Sequence, residues 1–496
     1  MNRAIRQLAL GLMVCYAALF VTLNYWQVGR KEELDASFDN TRAIRREFER
    51  PRGEIIAADG TVMAQSVATE PGSDFAYQRQ YPLGDLFAHV TGYYTFAFGS
   101  TGLERTQNDV LAGTTPEQQL RAIPGILDGD ADNSGTVVTT LRTDLQQVAK
   151  DALGEREGSV VVMEPATGAV KAMWSFPSYD PNQVVDPNFD TAGDVLTFLQ
   201  AYPGDPLLGN TYQQRYMPGS TFKILTASIA LQAAVAGLDS VFPDENAWVP
   251  PQTDDPIENF EGTTCGGDLT EVFTRSCNIA FARMAVDIGV DRMVQGVTDW
   301  GVGETIPIDL PRAAASTFGP TADLTQNLPL LAIRGFGQNE VQLVPMHMAM
   351  IASTVANGGQ MMAPYVVQQT LDHDGNVLHT TEPAVWKTPI TPETAATLRD
   401  LMVSVAEQGT ASCCIALDSG ISVAAKTGTA QLNNPGEEER SNAWIVAFAP
   451  AEAPRYAVAV MLKGTNAEIS AGTGGRLAGP IAKTVLDAAF AGEVGG

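Results

Sequence analysis

The 18 residues from Leu8 to Tyr25 carry no charged side chain, and Arg3 and Arg6 stand just before them. A run of that length spans the hydrocarbon core of a bilayer as a single helix. Tyr25 and Trp26 suit the membrane interface, and the short basic tail favours retention in the cytoplasm. Everything after about residue 28 is then expected outside. A cleavable signal peptide is the competing reading. No small-x-small pattern follows the run, and Val14 before Cys15 argues against a lipidated cysteine, so an uncleaved anchor is expected. No second long apolar run follows. The expected order is a cytoplasmic tail at 1–7, a transmembrane anchor at 8–27 and an extracytoplasmic remainder.

At 496 residues, the chain is too long for one compact domain and suggests two or three. A hydrophobic share of 45% supplies real cores and argues against global disorder. The net charge of −26 repels phosphate backbones, which disfavours nucleic-acid partners, and otherwise serves solubility. Five cysteines are too few for a disulfide scaffold.

Pro and Gly punctuate Arg50-Pro-Arg-Gly-Glu-Ile-Ile56, and Asp59-Gly60 is a turn signal. The tract from Asp128 to Gly135 superficially resembles a calcium loop. Its sixth position is Asn133 where Gly is needed and its twelfth is Thr139 where Glu is needed, so it reads as an acidic connector. A strand is expected over 136–141 and a helix over 144–153. Strands at 157–163 and 169–174 around the turn 164–168 form a hairpin. Helical periodicity marks 222–236, 278–289, 344–357 and 392–407. Strands return at 421–426, 443–448 and 456–462 before an Ala-rich helix near 478–490. Strands, a helical insertion, then strands and a last helix predict an α+β domain.

Three short motifs carry chemistry. In Met217-Pro-Gly-Ser-Thr-Phe-Lys223, turn residues lead into a helix, so Ser220 sits at its N-terminus with Lys223 one turn on. A serine hydroxyl needs a base, and a lysine can be one when burial or a neighbouring cation lowers its pKa. Ser276-Cys-Asn278 offers a hydroxyl to relay a proton and an amide to hold a substrate amide. Val423-Ala-Ala-Lys-Thr-Gly-Thr-Ala430 reads as a strand in which Thr427 and Thr429 share one side, suited to a carboxylate, while Gly428 admits close approach of a substrate backbone. Each motif alone is weak: Ser-x-x-Lys is mostly solvated helix surface, Ser-x-Asn a cap, Lys-Thr-Gly a turn. Four scattered histidines make no metal cluster and no Ser–His–Asp set, and there is no Walker loop. No metal or cofactor is expected.

In this order the three motifs are the signature of class A β-lactamases and penicillin-binding proteins. The sequence resembles the class B penicillin-binding proteins, the monofunctional D,D-transpeptidases, in their short actinobacterial form. Gly337-Gln338, Ala356-Asn-Gly-Gly359, Trp444 and Phe448-Ala-Pro450 are similar to that transpeptidase domain, and Arg52-Gly53 with Gly102-Leu-Glu104 to its pedestal. Three departures stand out: Ala57-Ala58-Asp59 where Asp-Arg is usual, Val446-Ala447 where Phe and Gly are common, and Asn339 at a frequent glycine.

The resemblance implies a pedestal or dimerisation-type domain at 28–150 and a transpeptidase domain at 151–496. The latter is an antiparallel sheet sandwiched by helices plus an all-helical lobe. It implies that Ser220 attacks the D-Ala-D-Ala end of a peptidoglycan stem peptide, with Lys223 as base. Ser276 passes a proton to the leaving group, Asn278 holds the substrate amide, and Lys426 supplies positive potential. Thr427 and Thr429, with Gly428 between them, bind the terminal carboxylate, and the backbone N–H groups of Ser220 and Thr429 form an oxyanion hole. Penicillin and other β-lactams acylate the same serine, and a membrane-embedded glycan polymerase is the implied partner. The rivals are a D,D-carboxypeptidase or β-lactamase hydrolysing the same acyl-enzyme, and a covalent β-lactam sensor. The long region at 28–150 argues against a secreted β-lactamase, and the short tail against a sensor's output domain.

The four cysteines beyond the anchor allow three pairings. Cys265 precedes Gly266-Gly267, which can turn the chain back, so a Cys265–Cys277 bond is expected. A small buried free cysteine is the alternative at 277, and a Cys413–Cys414 bond would be a vicinal one.

Overall fold

The computed structural model describes residues 2–25, 45, 47–122, 132–433 and 440–491. Asn2–Asn24 form one helix whose Ile5–Thr22 segment has a mean hydropathy of 1.7 and no buried residue, apolar and long enough to cross a membrane. Trp26 and residues 128–131 of the acidic connector lie outside the described residues.

The fold is mixed α+β. Its centre is a five-stranded antiparallel sheet in the order Ala424–Gln431, Ser441–Ala449, Tyr456–Leu462, Gly158–Met163, Val170–Phe176. Every residue of the three inner strands is buried. Helices cover both faces, so the strands read as continuous apolar runs and show no alternation. Helix Pro345–Ala356 packs on the three inner strands and on helix Pro392–Glu407; helices Thr143–Leu153 and Gly479–Ala491 pack on the sheet and on each other. Val446 and Ala447 are fully buried within the sheet, so this departure from the family pattern alters core packing. Lys223–Gln232 and Asn278–Ile288 pack together in a helical lobe beside the edge strand Ala424–Gln431.

A second sheet has six strands, ordered Val377–Thr380, Val367–Leu371, Thr136–Thr139, Ile55–Ile56, Val62–Ala68, Tyr77–Gln80. Its first two strands form a hairpin that follows the central helices in sequence yet pairs with Thr136–Thr139. Nothing in the local pattern announces that pairing. Asp59, part of the other departure, accepts the Thr61 N–H at 3.0 Å and so closes the turn at Gly60 (φ 82°).

Beside this sheet, Glu104 is fully buried between two arginines. Its carboxylate accepts from Arg52 Nε and Arg79 Nε, both at 2.6 Å, and from the Tyr81 hydroxyl at 3.3 Å. Burial alone raises its pKa, but Arg79 and Arg52 outweigh that and hold it below the usual carboxylate range. Arg52-Gly53 and Gly102-Leu-Glu104, distant in sequence, are therefore one buried ion cluster.

His347, on helix Pro345–Ala356, is fully buried. Trp300 O can only accept, so Nε2 donates to it at 2.8 Å, and Nδ1 accepts the Ser316 hydroxyl at 2.8 Å. Burial lowers its pKa from 6.5 to about 4. Between those values the unfolded chain binds a proton that the native state refuses, so stability falls as pH drops through this window. Asp309, raised by burial to about 6, opposes the trend, and His89, lowered by burial to about 4, reinforces it. A single variant isolates the effect: His347→Gln, which can keep both hydrogen bonds, is expected to flatten the stability–pH profile by about 1.4 kcal/mol per pH unit between pH 6 and 4.5. Denaturant unfolding of both proteins across that range checks it, and parallel profiles would contradict it.

Candidate active site

Ser220 lies in the tight turn Gly219–Phe222, which runs directly into helix Lys223–Gln232. Two glycines let this turn sit against its neighbours. A side chain on Gly428 would come within 2.5 Å of Pro218 O, and one on Gly337 within 2.1 Å of Gly219 O. The backbone packed against Gly428 is thus that of the Ser220 turn itself, where a substrate backbone was expected. The Trp444 indole adds a bond to Met217 O at 3.0 Å.

Lys223 and Lys426 are both fully buried and both reach Ser276 Oγ, at 3.3 Å and 2.8 Å. Lys223 Nζ also donates to Ser276 O at 2.7 Å and Asn278 Oδ1 at 2.8 Å. Burial pushes the Lys223 pKa well below that of a free lysine, and the Lys426 charge pushes it further. Burial brings Lys426 down to about 7. In the neutral form that burial favours, the two N–H groups of Lys223 serve the two carbonyl-type acceptors and its lone pair faces the Ser276 hydroxyl. None of its hydrogen bonds goes to Ser220.

Ser276 has φ 61°, the left-handed region that side chains other than glycine rarely enter. It is held there between helices Leu269–Thr274 and Asn278–Ile288, with the Cys277 N–H bonded to Val272 O at 2.9 Å. Next to it, Cys277 is joined to Cys265, with Cα atoms 5.6 Å apart. The disulfide expected from the sequence is present, and Cys413 is joined to its neighbour Cys414. Removing the first bond with Cys265→Ser is expected to cost roughly 3 kcal/mol of stability and to slow acylation by loosening Ser276 and Asn278. Unfolding curves and penicillin acylation rates check this, and an unchanged rate would detach the disulfide from the site.

Thr427 and Thr429 lie on the edge strand, which begins at Ala424 and continues to Gln431. The expected strand 421–426 is therefore shifted toward the C-terminus, so the Lys-Thr-Gly-Thr segment lies within it. Thr429 Oγ1 accepts the Gly474 N–H at 3.3 Å, and Thr427 Oγ1 lies 2.5 Å from Thr410 Oγ1. Sequence reasoning missed Thr410 and also Asn259, whose Oδ1 accepts the Asn278 N–H at 2.8 Å and the Ile279 N–H at 3.1 Å. A polar residue in a loop carries no signal of the distant helix it caps. Asn339, the third departure, has φ 63°. Asparagine tolerates this conformation, so it can stand at a glycine position.

All eight residues singled out in the sequence thus lie together where the edge strand meets the Ser220 turn and the helical lobe. A domain model for the penicillin binding protein transpeptidase domain matches residues 158–487, and one for the penicillin binding protein A dimerisation domain matches residues 52–137. The peptidoglycan D,D-transpeptidase PbpA of Mycolicibacterium smegmatis is 36% identical over 99% of each chain. The protein of that name from Mycobacterium tuberculosis is 34% identical over 99% of this chain and 100% of its own. The ceftriaxone acyl-enzyme of penicillin-binding protein A from M. tuberculosis superposes with a TM-score of 0.83 at 34% identity, covering 90% of this chain and 99% of that one. Imipenem and penicillin G acyl-enzymes of that protein give TM-scores of 0.81 at the same identity, the first covering 90% of this chain and the second 89%, each with 100% of the other. Similarity of this extent along the whole sequence makes the chain a member of the penicillin-binding protein transpeptidase family.

Proposed function

We infer that the protein is a serine D,D-transpeptidase that cross-links peptidoglycan and is acylated by β-lactams. The observation that carries the reading is the pair of buried lysines converging on Ser276 beside the Ser220 turn. Ser220 Oγ attacks the carbonyl carbon of the penultimate D-Ala of a stem peptide while the Lys223 lone pair takes its proton. Backbone N–H groups of Ser220 and Thr429 receive the oxyanion as it forms. When the intermediate collapses, the D-Ala–D-Ala amide bond breaks. The proton on Lys223 passes through Ser276 Oγ to the departing nitrogen, and D-Ala leaves. Lys426 keeps Ser276 Oγ in a positive field. Asn278 accepts from Lys223 at its Oδ1, and of its two amide N–H groups one reaches Glu258 O at 3.4 Å and the other serves a stem-peptide carbonyl. Thr427 and Thr429, flanking Gly428, hold the terminal carboxylate. An amine of a second stem then attacks the Ser220 ester, loses a proton and restores the hydroxyl.

In this reading residues 1–7 stay in the cytoplasm and 8–27 anchor the chain in the bilayer. Residues 28–150 form the pedestal, and 151–496 act outside the membrane beside a membrane-embedded glycan polymerase. The test uses the full chain in detergent with N-benzoyl-D-alanyl thioglycolate, with and without a D-amino acid acceptor. Transfer to the acceptor is expected. Hydrolysis alone would make the protein a carboxypeptidase, and rapid turnover of a chromogenic cephalosporin would make it a β-lactamase.

A further inference from the structure

Thr410 lies in the turn that follows helix Pro392–Glu407, exposed to solvent, and its hydroxyl is 2.5 Å from that of Thr427. The turn is firmly built. The N–H groups of Gly409 and Ala411 both donate to Val405 O at 3.2 Å, the Ser412 hydroxyl donates to Gly409 O at 2.8 Å, and the Cys414 N–H donates to Ala411 O at 2.9 Å. The Cys413–Cys414 disulfide closes a small ring within it. A side chain on Gly475 would come within 2.2 Å of Thr410 O, so the turn is also pressed against the short helix Gly474–Leu477.

A hydroxyl has one proton to give, and its oxygen can accept as well. Thr429 Oγ1 already accepts from the Gly474 N–H, which leaves the Thr429 proton for another partner. The Thr410–Thr427 contact decides the same question for Thr427. Were Thr427 the donor, it would turn only lone pairs toward an anion and repel it. With Thr410 as donor, the Thr427 proton is free. We propose that Thr410 is a positioning residue for the substrate's terminal carboxylate: it donates to Thr427 Oγ1, so that Thr427 and Thr429 both aim O–H donors at the same anionic group. A hydroxyl that accepts one hydrogen bond is polarised into a better donor for the next. The inference rests on the carboxylate role given above to Thr427 and Thr429, and it adds a residue outside the three motifs.

The test compares two thioesters on the full chain in detergent: N-benzoyl-D-alanyl thioglycolate, whose leaving group carries a carboxylate, and the matching thioglycolamide, whose leaving group is uncharged. Thr410→Val keeps the shape and removes the hydroxyl. It is expected to lower kcat/KM for the carboxylate substrate about tenfold, mainly through KM, and to leave the amide within about twofold. Thr410→Ser restores the carboxylate preference. Equal losses on both substrates, or a carboxylate preference unchanged within about twofold, would overturn the proposal. The broader reading fails in a different way, by a wild-type protein that prefers neither substrate or is not acylated at Ser220.

Discussion

Lys223→Arg is expected to fold and to lose acylation by penicillin by a factor of about 10²–10⁴, the range that general-base catalysis supplies. The reason is the burial of two amines side by side. Two cations cannot share Ser276 Oγ in a fully buried pocket without cost, and burial together with the Lys426 charge already favours the neutral form of Lys223. A guanidinium cannot give up its proton near neutral pH, so it offers Ser220 no lone pair. Lys223→Gln, smaller and also without a base, separates the lost base from crowding by the larger arginine. Both variants should unfold cooperatively and both should label slowly with fluorescent penicillin. In the wild type, the labelling rate should rise with pH up to the lowered Lys223 pKa and then level off. Near-normal labelling of either variant across that range would remove Lys223 from the role of base.

A comparably large effect, on stability, is expected at Glu104. Its carboxylate is the only anion among the described residues bonded to both Arg52 and Arg79, and all three side chains are buried. Glu104→Gln leaves two guanidinium groups facing each other with no counter-charge. Removing one partner from a buried ion pair typically costs about 3–5 kcal/mol. Arg52 and Arg79 also bond to backbone, to Glu104 O at 2.7 Å and Gly53 O at 2.8 Å respectively, so their displacement should disturb the strands on either side. Urea denaturation should show the loss, and Glu104→Asp, which keeps the charge with a shorter reach, should recover part of it. A Gln variant within about 1 kcal/mol of wild type would show that the arginines find other partners.

What the sequence revealed was mostly local. The Gly158–Phe176 hairpin, the helix after Ser220 and the buried strands near the C-terminus follow from apolar runs, helical periodicity and turn residues within a few positions. The three motifs are likewise short, and each is placed by the element that contains it. Beyond the three motifs and the Cys265–Cys277 bond, contacts between distant segments were not legible. The Val367–Thr380 hairpin joins a sheet built mainly from residues before 140, and no pattern inside it names that partner. Arg52 and Glu104 each stood out by resemblance, but their ion pair exists only in the fold. Thr410 and Asn259 are unremarkable loop residues until folding sets them beside Thr427 and Asn278. Asn339 stood out as a departure from a common glycine, and its positive φ shows that the backbone conformation glycine favours is kept.

The central claim is that Ser220 is the acylated nucleophile. Peptide mapping by mass spectrometry after penicillin treatment of the full chain tests it most directly. The account predicts one penicilloyl adduct, on the peptide containing Ser220, stable for many minutes and absent from Ser220→Ala. An adduct on Ser276, or undiminished labelling of the Ser220→Ala protein, would contradict it.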